Sequence, residues 1–377
     1  MERLVLVAGD PSGDLYASLL IGALRARHPS VRIEAAGGPL TRAALGKDGV
    51  FLCDLASMGV TGFVEPLRRV PFLLRSARRV LRAIEERPDA LVCIDFYGFN
   101  RRLLPAAKRV GVPVHYFVSP QVWASRPGRV RTLKRWVERM LVIFPFEEPL
   151  YRKAGVPVTW VGHPLLDVLP APLAEREPVP VPRIGLLPGS RPSEVRRHLP
   201  ALLAAAARIA RDFPRSEFSV FAAPSLPDAA YAPPRRGGAC PPPFRIVRES
   251  DYVQRSRLDL ALTSSGTATL ENALLGVPMV VLYRLSWPTY LIARSMVRVP
   301  YIAMANLLAG RRLVPELIQR DASPERIADA ALDLLGHPGR LRALGRELAL
   351  LRDALGGPGA VGRAADAILG SVARKAP

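Results

Sequence analysis

Short apolar runs alternate with longer segments of mixed polarity along most of the chain. The runs include RLVLVA, ALVCI, VPVHYFV and RMLVIF, and each leads into a turn and then into a segment with helix-like spacing of apolar residues. Strands rich in Val, Ile and Leu that alternate with helices are typical of a parallel sheet covered on both faces. The pattern therefore predicts an α/β fold.

A proline-rich, non-periodic segment from Pro164 to Arg183 interrupts this alternation, which then restarts with RIGLL, EFSVF, LDLALT and VPMVVLY. A chain of 377 residues is also longer than one core usually supports. Two doubly wound domains would bind ligands in a cleft at the carboxyl ends of their strands. We predict a first domain over 1–165, a linker over 166–182, a second domain over 183–355 and a final segment over 356–377.

The composition adds a strong positive charge to this picture. The chain has 53 Lys and Arg residues against 33 Asp and Glu, a net charge of +20. Such an excess favours an anionic partner, whether nucleic acid, acidic lipid or a phosphorylated substrate. Nucleic acid has the least support, because the chain has no recognised nucleic-acid motif and no interleaved aromatic residues.

No apolar run reaches the roughly 18 residues that a membrane-spanning helix needs. The N-terminal segment MERLVLVAGD reaches a turn after one short strand, which argues against a signal peptide. Cys53, Cys93 and Cys240 are odd in number and scattered, and the first two lie in or beside apolar runs. We expect buried thiols in a reducing compartment rather than a disulfide framework or a metal site.

Two strand-to-helix junctions of the second domain have the composition of an anion site. A helix start presents unpaired N–H groups and the positive end of the helix dipole, and a guanidinium can bind phosphate oxygens in pairs. We predict that the junctions bind a diphosphate and that Glu271 hydrogen-bonds a ribose; simple capping and a solvated Glu271 are the alternatives. The junction residues are Gly189, Ser190 and Arg191, and Ser264, Ser265, Gly266 and Thr267.

Other nucleotide and metal motifs are missing from the sequence. Neither junction continues into the Gly-Lys-Ser/Thr of a Walker loop, and the turn from Gly9 to Gly13 lacks the G-x-G-x-x-G spacing of dinucleotide sites. No group of His, Cys or carboxylate residues has metal-ligand spacing. The sequence therefore predicts an anion site without a metal or another cofactor.

Candidate acidic groups follow two strands of the first domain. Asp95 ends an apolar strand, where its carboxylate could point into the cleft and act as a general base. Asp10 and Asp14 flank the first glycine turn. Helix capping or ion pairing is the alternative for these carboxylates, and His115 and His163 are expected to be core residues.

One long segment, from Met58 to Ile84, combines apolar residues at three- or four-residue steps with many arginines. A basic amphipathic helix can lie in an acidic membrane surface, and packing on the sheet is the alternative. Pro66 and Pro71 interrupt its early part, which predicts a broken helix or two short ones.

Taken together, the motifs resemble the lipid-A-disaccharide synthase family, which are glycosyltransferases of the GT-B fold. Each motif is weak alone, and the ordered set is specific. The resemblance implies two doubly wound Rossmann-like domains facing a cleft, and an enzyme of lipid A and lipopolysaccharide biosynthesis. The motifs are, in order, VAGDPSGD, MGVTGFVE, IDFYGFN, YFVSPQVWASR, FPFEEPLY, VGHPL, LLPGSR, LTSSGTATLE and NLLAGRRLVPELIQ.

The resemblance also implies a reaction. The family joins UDP-2,3-diacylglucosamine to 2,3-diacylglucosamine 1-phosphate through a β-1,6 linkage and releases UDP without a required metal. Asp95 would take the proton from the acceptor 6-hydroxyl, while Arg191 and the Ser-Ser-Gly-Thr turn would bind the diphosphate. Asn306 and Gln319 match polar positions that line the same site.

Contact with a membrane is a further implication. The segment from Met58 to Ile84 matches the family's membrane-contacting region, so we expect a cytoplasmic enzyme bound peripherally to the anionic inner face of the inner membrane. The final segment should return to the first domain or be exchanged with a second chain in a homodimer. The residues expected to face the acceptor or the membrane are Ser12, Gly13, Asp14, Met58, Phe63, Leu67, Arg68, Arg69 and Leu74.

A few positions depart from the family pattern. The first motif has Gly-Asp-Pro-Ser-Gly where the family more often has Gly-Glu-Ala-Ser-Gly, Ser125 replaces an aromatic residue, and the proline-rich loop at 224–243 matches no family motif. None of these removes a proposed catalytic residue. The alternatives are another GT-B sugar-nucleotide enzyme, such as a MurG-like transferase or a UDP-N-acetylglucosamine 2-epimerase, and a basic surface-binding protein without catalysis.

Overall fold

The computed structural model describes residues 2–56, 65–173, 181–224, 226–233, 240–248 and 251–373. The chain divides into two compact units. The first contains Met1–Asp167, Ala293–Arg298 and Leu355–Pro377, and the second contains Val168–Ile292 and Val299–Ala354. The predicted linker at 166–182 lies partly outside the described residues.

Within the described residues, the first unit contains a seven-stranded sheet in which all neighbouring strands are parallel. Its strands are β1 (Arg3–Ala8), β2 (Arg32–Gly37), β3 (Val50–Asp54), β4 (Ala90–Ile94), β5 (Val114–Phe117), β6 (Arg139–Val142) and β7 (Val158–Trp160). They lie in the order β3-β2-β1-β4-β5-β6-β7. The apolar runs that predicted a covered sheet are the buried centre of this unit: Leu4, Val5, Leu6 and Val7 have no exposed surface.

The helices of the first unit connect these strands. They are α1 (Pro11–Arg27), α2 (Pro39–Leu45), α3 (Glu65–Glu85), α4 (Tyr97–Asn100), α5 (Leu104–Arg109), α6 (Arg129–Trp136) and α7 (Glu147–Lys153). Helix α1 begins at Pro11, because the Asp10 carboxylate accepts a hydrogen bond from the Gly13 N–H and Pro11 suits the first turn.

Helix α3 corrects one prediction. The sequence predicted an interruption near Pro66 and Pro71, but α3 is a single helix with Pro71 inside it. Pro66 lies in the first turn, where a backbone N–H has no helical partner to lose, and Pro71 removes one bond near the same end. The prediction of a broken helix was therefore wrong.

The second unit repeats the parallel arrangement, with six strands among its described residues. These are β8 (Arg183–Leu187), β9 (Glu217–Phe221), β10 (Phe244–Val247), β11 (Leu260–Ser264), β12 (Met279–Tyr283) and β13 (Glu316–Ile318), in the order β10-β9-β8-β11-β12-β13. The helices that follow in the chain are α8 (Pro192–Asp212), α9 (Val253–Ser256), α10 (Thr267–Leu274), α11 (Trp287–Met296), α12 (Met304–Ala309), α13 (Pro324–Leu335) and α14 (Pro338–Ala349). The residues of α11 from Ala293 onward belong to the first unit.

The final segment forms α15 (Ala360–Ala373), which packs on α1. The Asp167 carboxylate accepts hydrogen bonds from the backbone N–H groups at the start of α15, including that of Val361 at 2.8 Å. Near its end, the Ser371 hydroxyl lies 2.7 Å from His115 Nε2. The described part of the final segment therefore belongs to the first unit.

The cysteines and histidines that lie in or beside apolar runs are buried, as predicted. Cys53 and Cys93 are buried, and Cys240 is exposed. His115 and His163 are also buried, so the expectation that they are core residues is confirmed.

Candidate active site

Asp95 and Asp10 leave neighbouring strands at one edge of the first sheet. Strands β1 and β4 pair in parallel with Ala8 opposite Ile94, so their carboxyl ends lie side by side. Asp95 directly follows β4, and Asp10 follows β1 after one glycine. This is the edge at which ligands bind in doubly wound sheets.

The backbone at Asp95 has an unusual conformation. Asp95 and Phe96 both have a φ of 42°, in the left-handed region that residues with side chains rarely adopt. The Asp95 N–H donates to the Phe117 carbonyl at 3.0 Å, and its carbonyl accepts from Asn100 Nδ2 at 2.9 Å and from the Tyr116 hydroxyl. Surrounding contacts thus hold a strained loop in place, a feature that concentrates at functional sites.

The Asp95 side chain is half-buried. Removal from water is the main cause that raises the pKa of its carboxyl, and repulsion from the Asp10 carboxylate adds to it, so the pKa lies at about 7. A carboxyl with this pKa changes protonation near neutral pH, as a general base must.

The turn after β1 is shaped to fit the Asp95 loop. A side chain at Gly9 would overlap the Phe96 ring, so glycine is required for the loop to approach. Asp10 caps α1 through Gly13, and the Ser12 hydroxyl donates to the Asp10 carboxylate at 3.3 Å. The turn residues Ser12 and Gly13 therefore support Asp10.

Asp14 lies inside the first unit. It is buried, and its carboxylate accepts hydrogen bonds from the backbone N–H groups of Gly38, Leu40 and Thr41 and from the Thr41 hydroxyl. These bonds cap the start of α2. The expected acceptor-facing carboxylate is thus fully engaged within the protein.

A buried glutamate that the sequence did not single out lies nearby. Glu147 accepts from Trp123 Nε1 at 3.0 Å and from the backbone N–H groups of Ile143 and Phe144. Burial raises the pKa of the Glu147 carboxyl to about 7. The Trp123 ring packs edge-on against Phe146, with centroids 5.1 Å apart. The motifs SPQVWAS and FPFEEP, known only as family matches, thus form one aromatic cluster around a carboxyl.

The two predicted anion junctions of the second unit follow neighbouring strands. Strands β8 and β11 pair in parallel, so the starts of α8 and α10 lie at the same edge of the sheet. Gly266 and Thr267 are exposed at the start of α10, and Ser265 is half-buried. Ser264 is buried as the last residue of β11. The structure therefore brings both junctions to one edge, as the sequence predicted.

Arg191 is the N-cap residue of α8, and its guanidinium donates to Glu194 at 3.0 Å. The Ser190 N–H donates to the other oxygen of the same carboxylate at 3.2 Å, and Gly189 has a φ of 116° that favours glycine. The Glu194 carboxylate therefore accepts hydrogen bonds from Ser190 and Arg191, two of the residues that were predicted to bind a diphosphate.

Glu271, on α10, forms an ion pair with Arg255 and accepts from the Tyr252 hydroxyl at 3.0 Å. The pair is mostly buried, with side-chain exposures of 13% for Glu271 and 14% for Arg255. Glu271 is thus held in one position rather than solvated.

Asn306 and Gln319 both use their amides to shape loops. Buried Asn306 accepts from the N–H groups of Leu313 and Val314 and donates to the Val314 carbonyl and to Glu316. Gln319 pairs with the Leu285 backbone, accepting at 2.6 Å and donating at 3.2 Å. Both residues position the neighbouring backbone.

His198 is a positioning residue that the sequence analysis missed. It is fully buried in α8, with Nδ1 2.9 Å from the Pro188 carbonyl, while the Arg284 N–H donates to Nε2 at 3.1 Å. Burial lowers the pKa of His198, which favours this neutral form. The side chain joins the loop before Arg191 to the loop after β12. The only signal for this role in the sequence is that His198 lies in the second turn of α8, close to the preceding loop.

The residues predicted to face a membrane are only partly described. Met58 and Phe63 lie outside the described residues, as do the side chains of Leu67, Arg68 and Arg69. Leu74 is exposed.

Further along α3, the apolar residues Ala77, Val80 and Ile84 are buried in the core of the first unit. The C-terminal turns of α3 thus pack as an ordinary helix does.

The described part of the chain contains neither a metal-binding cluster nor a helix that could span a membrane. No three His, Cys, Asp or Glu side chains there are placed to hold one metal ion. Among the same residues, no helix is both long and apolar enough to span a bilayer.

Comparison with known proteins identifies the family. Residues 4–343 match the family described as lipid-A-disaccharide synthetase. The chain is 43% identical over 373 residues to a lipid-A-disaccharide synthase from Syntrophus aciditrophicus, covering 97% of this chain and 96% of that protein. It is 41% identical over 377 residues to the lipid-A-disaccharide synthase from Myxococcus xanthus, with 97% of each covered.

Solved structures show the fold. The structure of MurG from Acinetobacter baumannii matches with a TM-score of 0.57 at 15% identity, covering 98% of this chain and 100% of that one. At this identity the likeness supports the fold alone, and it confirms the predicted GT-B class. With the match along the whole sequence, it follows that the chain belongs to the lipid-A-disaccharide synthase family of glycosyltransferases.

Proposed function

We propose that the protein transfers the diacylglucosamine of UDP-2,3-diacylglucosamine to the 6-hydroxyl of 2,3-diacylglucosamine 1-phosphate with inversion at the anomeric carbon. The observation that carries the proposal is the Asp95 carboxyl, held in a strained loop at the ligand edge of the sheet with a pKa of about 7. A carboxyl with this pKa suits a base that removes a hydroxyl proton during attack.

The proposed step is a single displacement. The acceptor oxygen forms a bond to the anomeric carbon while the bond from that carbon to the UDP oxygen breaks, and UDP leaves with the electron pair. The proton of the acceptor hydroxyl passes to Asp95. Attack opposite the leaving group converts the α-linked donor into a β-linked product.

We assign UDP binding to the second unit. Arg191 would exchange its bond to Glu194 for the diphosphate, and the exposed N–H groups at the start of α10 would bind the same charge as it grows in the transition state. Glu271, fixed by Arg255, would bind the ribose. Asn306 and Gln319 would support the site by holding its loops, and no metal or cofactor is assigned.

The proposal extends to location. Acylated substrates and a net charge of +20 support peripheral binding to an anionic membrane surface, at the inner face of the inner membrane. We also propose, from the family resemblance, that the protein forms a homodimer.

The test is product formation in mild detergent with a metal chelator, with and without the acceptor. We expect UDP and a disaccharide 1-phosphate only when both sugars are present, and a rate lower by about 10²-fold or more from Asp95→Asn. Donor turnover without acceptor would favour an epimerase, and wild-type turnover by Asp95→Asn would remove the base assignment.

A further inference from the structure

A basic cavity of about 300 Å³ lies in the second unit where β12 and β13 end. None of its described lining residues is acidic. The lining consists of Arg197, Arg284, Leu285, Trp287, Gln319 and Arg320. The cavity therefore concentrates positive charge at the edge of the sheet where ligands bind.

Its walls are held by hydrogen bonds within the protein. Arg197 donates to the Arg284 carbonyl at 3.3 Å, and Arg284 Nε donates to the Gln319 carbonyl at 3.4 Å. His198 and the Gln319 amide fix the backbone of the same loop. A guanidinium carries five N–H donors, so most of those on Arg197 and Arg284 remain available to a ligand.

The charge in this cavity is not balanced by acidic partners. None of the ion pairs between described residues includes Arg197, Arg284 or Arg320. By contrast, the cavity of about 590 Å³ in the first unit has Arg3 paired with Glu34 and Glu86. A cavity with several unpaired guanidinium groups favours an anion. Guanidinium groups pair with carboxylate and phosphate alike, and a phosphate has more acceptor oxygens to share among several arginines.

An apolar surface adjoins the cavity. None of the ten residues of α11, all of them described, is buried. Trp287, at the rim of the cavity, is 50% exposed, and Leu291 is 61% exposed. The Arg320 guanidinium lies 5.3 Å from the centre of the Trp287 ring. This combination fits a ligand that has both a phosphate and an apolar part.

We propose that this cavity binds the phosphate group of an acylated phosphate ester through Arg197, Arg284 and Arg320, at a site that adjoins the proposed UDP site at Gln319 and does not use Arg191. The phosphate comes either from a phospholipid headgroup or from the acylated sugar phosphate of the proposed reaction. The second source rests on the proposed function, whereas the first is independent of it.

The test uses the double variant Arg197→Gln/Arg320→Gln of the full-length protein. The matched control is Arg211→Gln/Arg346→Gln, which removes the same charge from exposed positions on α8 and α14. One assay measures co-sedimentation with vesicles of phosphatidylglycerol and phosphatidylcholine. The second measures KM for 2,3-diacylglucosamine 1-phosphate in detergent without phospholipid. UDP-induced thermal stabilisation is measured on every variant.

We expect the double variant to bind its phosphate source on the order of 25-fold more weakly, from a factor of about five per arginine. Weaker vesicle binding alone identifies the headgroup, a raised KM alone identifies the sugar phosphate, and both together mean that both are bound. The proposal is overturned if the control loses as much, if neither quantity changes, or if UDP stabilisation is lost as well.

The single variant Arg320→Gln repeats the vesicle assay should the double variant fail to fold, because Arg320 is exposed and its guanidinium lies against the half-exposed Trp287 ring. Unchanged vesicle binding and KM in this variant would also overturn the proposal. Absence of synthase activity in the wild-type protein would count against the proposed function and would leave the vesicle assay decisive.

Discussion

The pKa of Asp95 makes the proposed reaction depend on pH in a defined range. Burial, followed by the Asp10 carboxylate, raises this pKa from its ordinary 3.8 to about 7. A base with a pKa of about 7 is roughly 10% deprotonated at about pH 6 and roughly 90% deprotonated at about pH 8. We therefore expect kcat/KM to fall about tenfold as the pH is lowered from about 8 to about 6. An Asp with the ordinary pKa would give no such fall.

Asp10→Asn is the perturbation that separates the two causes. The Asn carbonyl can still cap α1 by accepting from the Gly13 N–H, but it carries no charge. The midpoint of the acidic limb should therefore move below pH 7 and stay above the ordinary value, because burial of Asp95 remains. Asp95→Asn itself should lower kcat by about 10²–10⁴-fold.

The assay is UDP release across this pH range with each acylated sugar varied in turn below its KM, so that kcat/KM is measured. Glu147→Gln is the control, since burial raises the pKa of Glu147 to a similar value. The reasoning is refuted if the limb keeps its midpoint in Asp10→Asn, or if it disappears in Glu147→Gln.

Stability gives an independent check on the same pKa. The folded protein holds a proton on Asp95 between pH 3.8 and about 7 that the unfolded chain has released, so the stability from this group falls as pH rises through that window. The difference between these two pKa values corresponds to about 4 kcal/mol in the free energy of unfolding. Asp95→Asn removes this cost, so above pH 7 the inactive variant should unfold at a higher temperature than the wild type.

Three further substitutions test the loops around the site. Gly9→Ala places a methyl group against the Phe96 ring; displacement of the loop that holds Asp95 should lower kcat/KM by about 10²-fold, and unchanged kinetics would show that the loop tolerates the shift. Arg191→Ala should weaken UDP binding about tenfold or more by calorimetry, and an unchanged Kd would remove Arg191 from the diphosphate site. His198→Ala leaves the Pro188 carbonyl and the Arg284 N–H without their partner; we expect a loss of about 2–4 kcal/mol in chemical denaturation, and a loss below about 0.5 kcal/mol would contradict the positioning role.

The fold could be predicted because its signals are local. Val-, Ile- and Leu-rich runs such as β1 and β4 end at turns, and their continuous burial needs no knowledge of distant residues. Strand β13 has three residues and carries no such signal on its own. Pro71 lies inside α3 without breaking it, although it removes one backbone hydrogen bond, so the proline alone does not mark a helix boundary.

The sequence predicted which residues belong to the candidate site but not which side chains they contact, because the contacting residues are distant in sequence. Asp95 could be predicted from its place at a strand end, yet no glycine marked the left-handed conformation that it shares with Phe96. The partners of Glu271 lie 16 and 19 residues earlier in the chain, at Arg255 and Tyr252. Such pairings depend on how the chain folds back, which a motif does not record.

Asp14 was expected to face the acceptor or the membrane, with helix capping as the alternative, and a substitution can distinguish the two. The family resemblance placed it toward the acceptor, whereas its carboxylate accepts from three backbone N–H groups at the start of α2, at 2.7–3.0 Å. Asp14→Asn would turn an N–H donor toward one of these donors, so it should cost about 2–4 kcal/mol.

A two-domain protein need not unfold in one step, so the unfolding of Asp14→Asn is followed with and without UDP. We expect the transition that UDP does not shift to move to lower temperature, because UDP stabilises the unit that binds it. KM for the acceptor should stay close to that of the wild type at temperatures where the variant is folded. A raised KM without loss of thermal stability would instead place Asp14 in the acceptor site. A carboxylate that only caps α2 can weaken acceptor binding only if α2 and the structure around it unfold.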